Sequence, residues 1–139
     1  MTIRFAKSYV DRLFAERDVT GLHHLIGVVS RDRALPEQFW LFCRIIEWIG
    51  ATRSGVWQYY ESTPADQIKA VTQALRRFGL DEIAGKYSTG KRAPTKPDRD
   101  ESLDHWIDTH EQQINDTVFN LIATRKDLLA EVASSIAQK

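Results

Sequence analysis

An all-α fold is what this sequence predicts, on three observations. Apolar residues recur at spacings of three and four along most of the chain. No segment sustains the apolar-polar alternation of a strand. Proline and glycine fall at the ends of the periodic stretches, where helices start and stop. At 139 residues, with 42% hydrophobic and 27% charged residues, the chain is long enough to bury a core without disulfides or metals. We therefore expect a single domain over 1–139, built as a bundle of six or seven helices around a central apolar helix at 37–50.

The first helix is marked by Ile3, Ala6, Val10, Leu13 and Phe14, with Arg4, Lys7, Asp11 and Arg12 on the other face. Asp18 to Gly21 punctuates the pattern, and Leu22, Leu25, Ile26 and Val29 restart it as a second helix. Pro36 suits a first helical turn, where its missing N–H costs nothing. From Phe39 to Ile49, 9 of 11 residues are apolar, which makes 37–50 the most buried helix. Arg44 and Glu47 interrupt it, and it is far shorter than the roughly 20 residues a membrane span requires.

Beyond Gly50 and Ser54-Gly55 comes a short aromatic segment, Val56-Trp57-Gln58-Tyr59-Tyr60. Thr63 as N-cap, Pro64 as first helical residue and Asp66 in the capping-box position then announce a helix carrying Ile68, Val71, Ala74, Leu75 and Phe78. Gly79 supplies its left-handed end. A short helical turn follows at 81–87. Residues 88–99, with Pro94, Pro97 and four basic residues, read as a loop. Leu103, Trp106, Ile107, His110, Ile114, Val118, Leu121 and Ile122 describe a long helix. It continues through Leu128, Leu129, Val132 and Ile136, either unbroken or after an interruption near Arg125.

No catalytic, metal or cofactor motif survives inspection. Gly85 to Arg92 satisfies seven positions of the phosphate-binding loop, but Arg92 stands where a hydroxyl must ligate magnesium, and the flanking strand and helix are missing. His110-Glu111 lacks its second zinc histidine, because Ile114 occupies that position. Asp98, Asp100, Ser102 and Asp104 imitate a calcium loop without its glycine or its final glutamate. Glu101, His105 and Asp108 share a helix face, as a solvated acidic helix start also would. Cys43 is the lone cysteine and sits in an apolar run, so it packs as a small hydrophobe and makes no internal disulfide. With no signal-peptide pattern at the N-terminus, a cytoplasmic location is expected.

Charge placement says more. Lys plus Arg and Asp plus Glu both number 19, so no global field draws the chain to nucleic acid or membrane. Residues 69–99 nevertheless hold eight basic and three acidic residues, whereas 100–124 hold six acidic residues and no Lys or Arg. Asp100, Asp104, Asp108 and Glu111 align on one face of the long helix, about 6 Å apart. Such a row needs solvent, the basic loop or a basic partner. Direct nucleic-acid binding through Lys86, Lys91, Arg92, Lys96 and Arg99 is disfavoured, because the patch adjoins that acidic face.

The run Ser54-Gly55-Val56-Trp57-Gln58-Tyr59-Tyr60-Glu61-Ser62, the proline-started helix with Ala70, Ala74-Leu75 and Phe78-Gly79, and the later Leu103-Asp104 resemble the bacterial DNA-mimic-protein family over about residues 36–122. That family shows a Gly-Gly-aromatic-x-Gln-Tyr-Phe run; here Ser54, Val56 and Tyr60 replace the first glycine, the aromatic and the phenylalanine. The resemblance implies an all-helical protein without enzyme chemistry that tends to dimerise. In the family's namesake an acidic surface occupies the DNA-binding site of a transcription factor.

Two functions follow as expectations. In the first, a non-enzymatic interaction domain binds a basic protein, such as a DNA-binding regulator, through Asp100, Asp104, Asp108 and Glu111. In the second, a small ligand-binding domain or hydrolase is centred on the 57–61 segment, with Trp57, Gln58 and Tyr60 lining its pocket. A homodimer burying roughly 800 Å² or more per subunit is expected for either.

Overall fold

The computed structural model describes residues 7–90 and 101–135. Every regular element among the described residues is helical: α1 (Lys7–Ala15), α2 (Val19–Ser30), α3 (Glu37–Gly50), a one-turn 3-10 helix (Ala51–Arg53), α4 (Trp57–Ser62), α5 (Ala65–Arg77), α6 (Asp81–Thr89), α7 (Ser102–Ala123) and α8 (Lys126–Ser135). The all-α expectation holds, with eight helices in place of six or seven, because the aromatic segment forms its own helix and the last long stretch breaks before Lys126. No helix among the described residues is long and apolar enough to cross a membrane. The expected loop at 88–99 overlaps α6 at Ser88 and Thr89, and its remainder from Lys91 lies outside the described residues. The same holds for Ile3, Ala6, Asp100 and Ile136.

The chain divides into two compact units, one combining residues up to Cys43 with those from Asn115 onward, the other running from Arg44 to Ile114. Helix α3 repays its apolar composition: Phe39, Leu41, Phe42, Ile45 and Trp48 are all 0% exposed.

In the first unit α1 packs on α8 and α2. Its stripe of Val10, Leu13 and Phe14 is buried, as the spacing requires. The helix ends at Arg17, whose φ of 52° is unusual outside glycine. Asp18 N–H donates to the Leu13 carbonyl at 2.9 Å and Arg17 N–H to the Phe14 carbonyl at 3.1 Å, the paired bonds of a Schellman end. Long-range contacts offset the left-handed backbone. The guanidinium donates to Asp116 at 2.8 Å and sits 4.1 Å from the centre of the Phe119 ring. Asp18 then starts α2 as its N-cap, accepting from Gly21 N–H at 2.9 Å. What the sequence shows as punctuation at 18–21 is therefore a cap followed at once by helix.

In the second unit α5 packs on α6. Gly79, at φ 77°, ends α5 as expected, with Leu80 N–H donating to the Leu75 carbonyl at 2.8 Å. The start of α5 lies one residue later than the cap pattern suggests. Thr63 is the extended exit from α4, and Pro64 is the N-cap residue without a side-chain cap bond. Pro64 itself sets this, because its ψ of 147° is extended and not helical, so Ala65 is the first residue of the helix.

A buried aromatic cluster organises this unit. Trp48 Nε1 donates to Tyr60 Oη at 2.9 Å, Tyr60 Oη donates to the Tyr87 carbonyl at 2.6 Å, and the Tyr59 and Tyr87 hydroxyls are 2.6 Å apart. The rings meet edge to face, with Trp48 and Tyr87 centroids 5.3 Å apart. Gly90 lies so close to Tyr60 that a Cβ there would overlap the ring. Its glycine is needed for this approach and not for a left-handed backbone.

Candidate functional site

The turn that leads into α4 needs glycine at position 55. Its φ is 106°, and a Cβ there would fall 2.5 Å from Trp57 Nε1. Glycine alone lets the indole fold back over the turn. Val56 N–H, left without an intrahelical acceptor at the start of α4, donates to Asp104 Oδ1 at 2.7 Å. One carboxylate of α7 thus fastens a segment 48 residues away.

This junction forms a groove of about 790 Å³. Residues Thr52 to Gly55 and Trp57 line one wall; Glu101, just before α7, and Asp104, His105, Asp108 and Glu111 of α7 line the other. Helical spacing brings those α7 side chains to one face. Glu101, His105, Asp108 and Glu111 are exposed, and Asp104 and Trp57 are half-buried. None of Glu101, Asp108 and Glu111 makes an ion pair with a described residue. Arg53 and His105 are the groove's basic side chains among the described residues. Although Glu101, His105 and Asp108 line it together, no group of three or more His, Cys, Asp or Glu among the described residues is placed to hold a metal ion.

Of the four carboxylates singled out by spacing, the structure brings together Asp104, Asp108 and Glu111, while Asp100 lies outside the described residues. Asp104 does not serve the surface alone, since its bond to Val56 makes it part of the fold. Glu101 and Trp57 join the same groove. The register of α7 announced Glu101, but nothing local announces Trp57, because its place there depends on packing between segments far apart in sequence.

Trp57, Gln58 and Tyr60 do not converge. Trp57 lines the acidic groove, and exposed Gln58 lines a second one. Tyr60, 3% exposed, is held in the aromatic cluster. Successive residues of a helix point about 100° apart, so three of four neighbours cannot share one pocket. The residues of the incomplete phosphate and zinc motifs are also placed by helix geometry. Gly85 to Thr89 belong to α6, and Ile114 is 1% exposed. On another part of α7, His110 stacks on Trp106 at 4.3 Å and 17°, with Lys86 Nζ 5.5 Å from the Trp106 ring centre. Lys86 thereby covers an aromatic ring.

No protein-family model, curated protein or solved structure matches this chain.

The dual position of Asp104 has a measurable result. Asp104→Ala, which strands the Val56 N–H, is expected to lower stability by about 1–2 kcal/mol, whereas exposed Asp108→Asn should change it by no more than about 0.5 kcal/mol. Urea unfolding of both variants checks this, and equal midpoints would contradict the structural role of Asp104.

Proposed function

We propose that this protein is a non-enzymatic interaction module whose acidic groove receives a basic segment of another protein, a DNA-binding regulator being the partner class that fits. One observation carries the reading: Glu101, Asp108 and Glu111 stand exposed and without described ion-pair partners in a groove that also contains the Trp57 indole. Carboxylates beside an aromatic ring suit arginine and lysine, whose charged heads pair with the former while the side chain lies against the latter. A row of like charges also raises the encounter rate with a basic surface and disfavours acidic ones, duplex DNA included.

Fluorescence anisotropy with a labelled arginine-rich peptide tests the proposal. Binding should weaken as salt is raised, and the double variant Asp108→Asn/Glu111→Gln should lose at least about tenfold in affinity, or 1.4 kcal/mol. Equal affinity and equal salt dependence for the two proteins would overturn it. A labelled DNA duplex is the counter-probe, and salt-dependent retention of it by the wild-type protein would point to a different partner class.

A further inference from the structure

A second groove, of about 490 Å³, opens on another side of the α4 region. It falls within the size range of small-molecule sites. Its lining differs in kind from that of the acidic groove. Glu47 is its only charged residue among those described, and Arg44 neutralises that carboxylate at 2.8 Å. The remaining polar lining consists of hydroxyls and amides, from Ser54, Gln58, Tyr59, Ser62, Thr63 and Gln67.

The hydrogen-bond inventory shows which of these groups are already engaged. Ser54 Oγ donates to Gln58 Oε1 at 3.1 Å, which orients the amide and leaves its two N–H donors for another acceptor. Ser62 Oγ donates to the Gln58 carbonyl at 3.0 Å, so its oxygen retains lone pairs. Thr63 is the telling residue. Two polar residues are buried among those described, Thr63 and Thr72, each 7% exposed. Thr72 donates to the Ile68 carbonyl at 2.8 Å. Thr63 lines the groove and its hydroxyl has no hydrogen-bond partner among the described residues. That oxygen is not one of the fully buried unpartnered side-chain atoms of the described residues, so it stays open to whatever enters the groove.

We infer that this groove is a second binding site, for a neutral, hydroxyl-rich small molecule of the mono- or disaccharide class. Amide donors at Gln58, a lone hydroxyl at Thr63 and acceptor oxygens at Ser62 match the alternating donors and acceptors of a polyol. Ala51 and Pro64 offer apolar contact to its C–H faces. With Glu47 already paired, neither an anion nor a cation finds uncompensated charge to bind. The two grooves meet at Ser54 but share no charged residue among those described, so the two readings stand or fall separately.

Amide NMR titration of the intact protein with glucose, maltose and trehalose tests it, with lysine hydrochloride and sodium phosphate as charged probes. At least one sugar is expected to shift the Gln58 side-chain amide and the Thr63 backbone signal, with a dissociation constant below about 10 mM. Gln58→Leu, at an exposed position that tolerates change, should weaken that binding roughly tenfold. Asp108→Asn/Glu111→Gln should leave it unaltered. Thr63→Val should weaken it to a similar degree, and if that variant does not fold, Gln58→Leu decides alone. The proposal is overturned if no sugar shifts these signals, if the charged probes shift them equally, or if Gln58→Leu binds as well as wild type.

Discussion

Replacing Trp48 with alanine is expected to lower the free energy of unfolding by about 4–5 kcal/mol, a large share of the roughly 5–15 kcal/mol that holds a domain folded. The indole is 0% exposed, so its removal combines lost apolar burial with a cavity that its neighbours fill only in part. It also contacts Tyr87 edge to face, a geometry worth about 0.5–1.5 kcal/mol beyond area. The Tyr60 hydroxyl would lose the N–H that donates to it. Trp48→Phe keeps most of the volume and removes the donor, so comparing the two separates packing from hydrogen bonding. Denaturant unfolding monitored by circular dichroism gives both numbers. A loss below about 2 kcal/mol for the alanine variant would show that Trp48 does not organise this unit.

The second large effect is a loss of stability in alkali. Burial raises the hydroxyl pKa of Tyr59, Tyr60 and Tyr87 above the ordinary 10.0. For Tyr87 the hydrogen bond to Tyr59 pushes in the same direction, whereas the Trp48 N–H works against burial at Tyr60. Because these phenols hold their protons longer in the folded state, the unfolded state binds fewer protons above about pH 10 and stability falls as pH rises. Below that value both states are protonated and the contribution is intact. Each phenol that stays protonated in the folded state adds a slope that grows toward a limit of about 1.4 kcal/mol per pH unit as the unfolded tyrosine ionises above about pH 10. Urea midpoints measured between about pH 9 and pH 11 should trace this fall, and Tyr87→Phe should make it shallower. A slope unchanged in that variant would remove Tyr87 from the account.

Helix positions were legible wherever one strong signal acted alone. The apolar run at 37–50 matches α3, and Gly79 closes α5 in the left-handed conformation expected of it. Reading failed where two signals overlapped within a few residues. At 62–65 one helix ends and the next begins, so Thr63 looks like a cap while serving as an extended link. The aromatic run at 57–60 posed a different difficulty. Composition marks its three aromatics alike as core candidates, and only the helical rotation of α4 sends Tyr59 and Tyr60 inward, Gln58 outward and Trp57 into the acidic groove. The row on α7 was visible because its regularity is local. Its opposite wall was not, because the bond from Val56 to Asp104 joins segments that no periodicity relates.

That bond divides the acidic row into two kinds of position. A carboxylate at 104 answers to the backbone of Val56 as well as to anything that enters the groove, whereas those at 108 and 111 answer only to what enters. Under the proposed function, drift at 104 is held by folding, and drift at 108 and 111 by partner choice. A lineage that exchanged its partner would be expected to rewrite 108 and 111 first while keeping an acceptor at 104. An engineer wishing to reverse the charge of the groove would likewise begin with 108 and 111 and leave 104 in place.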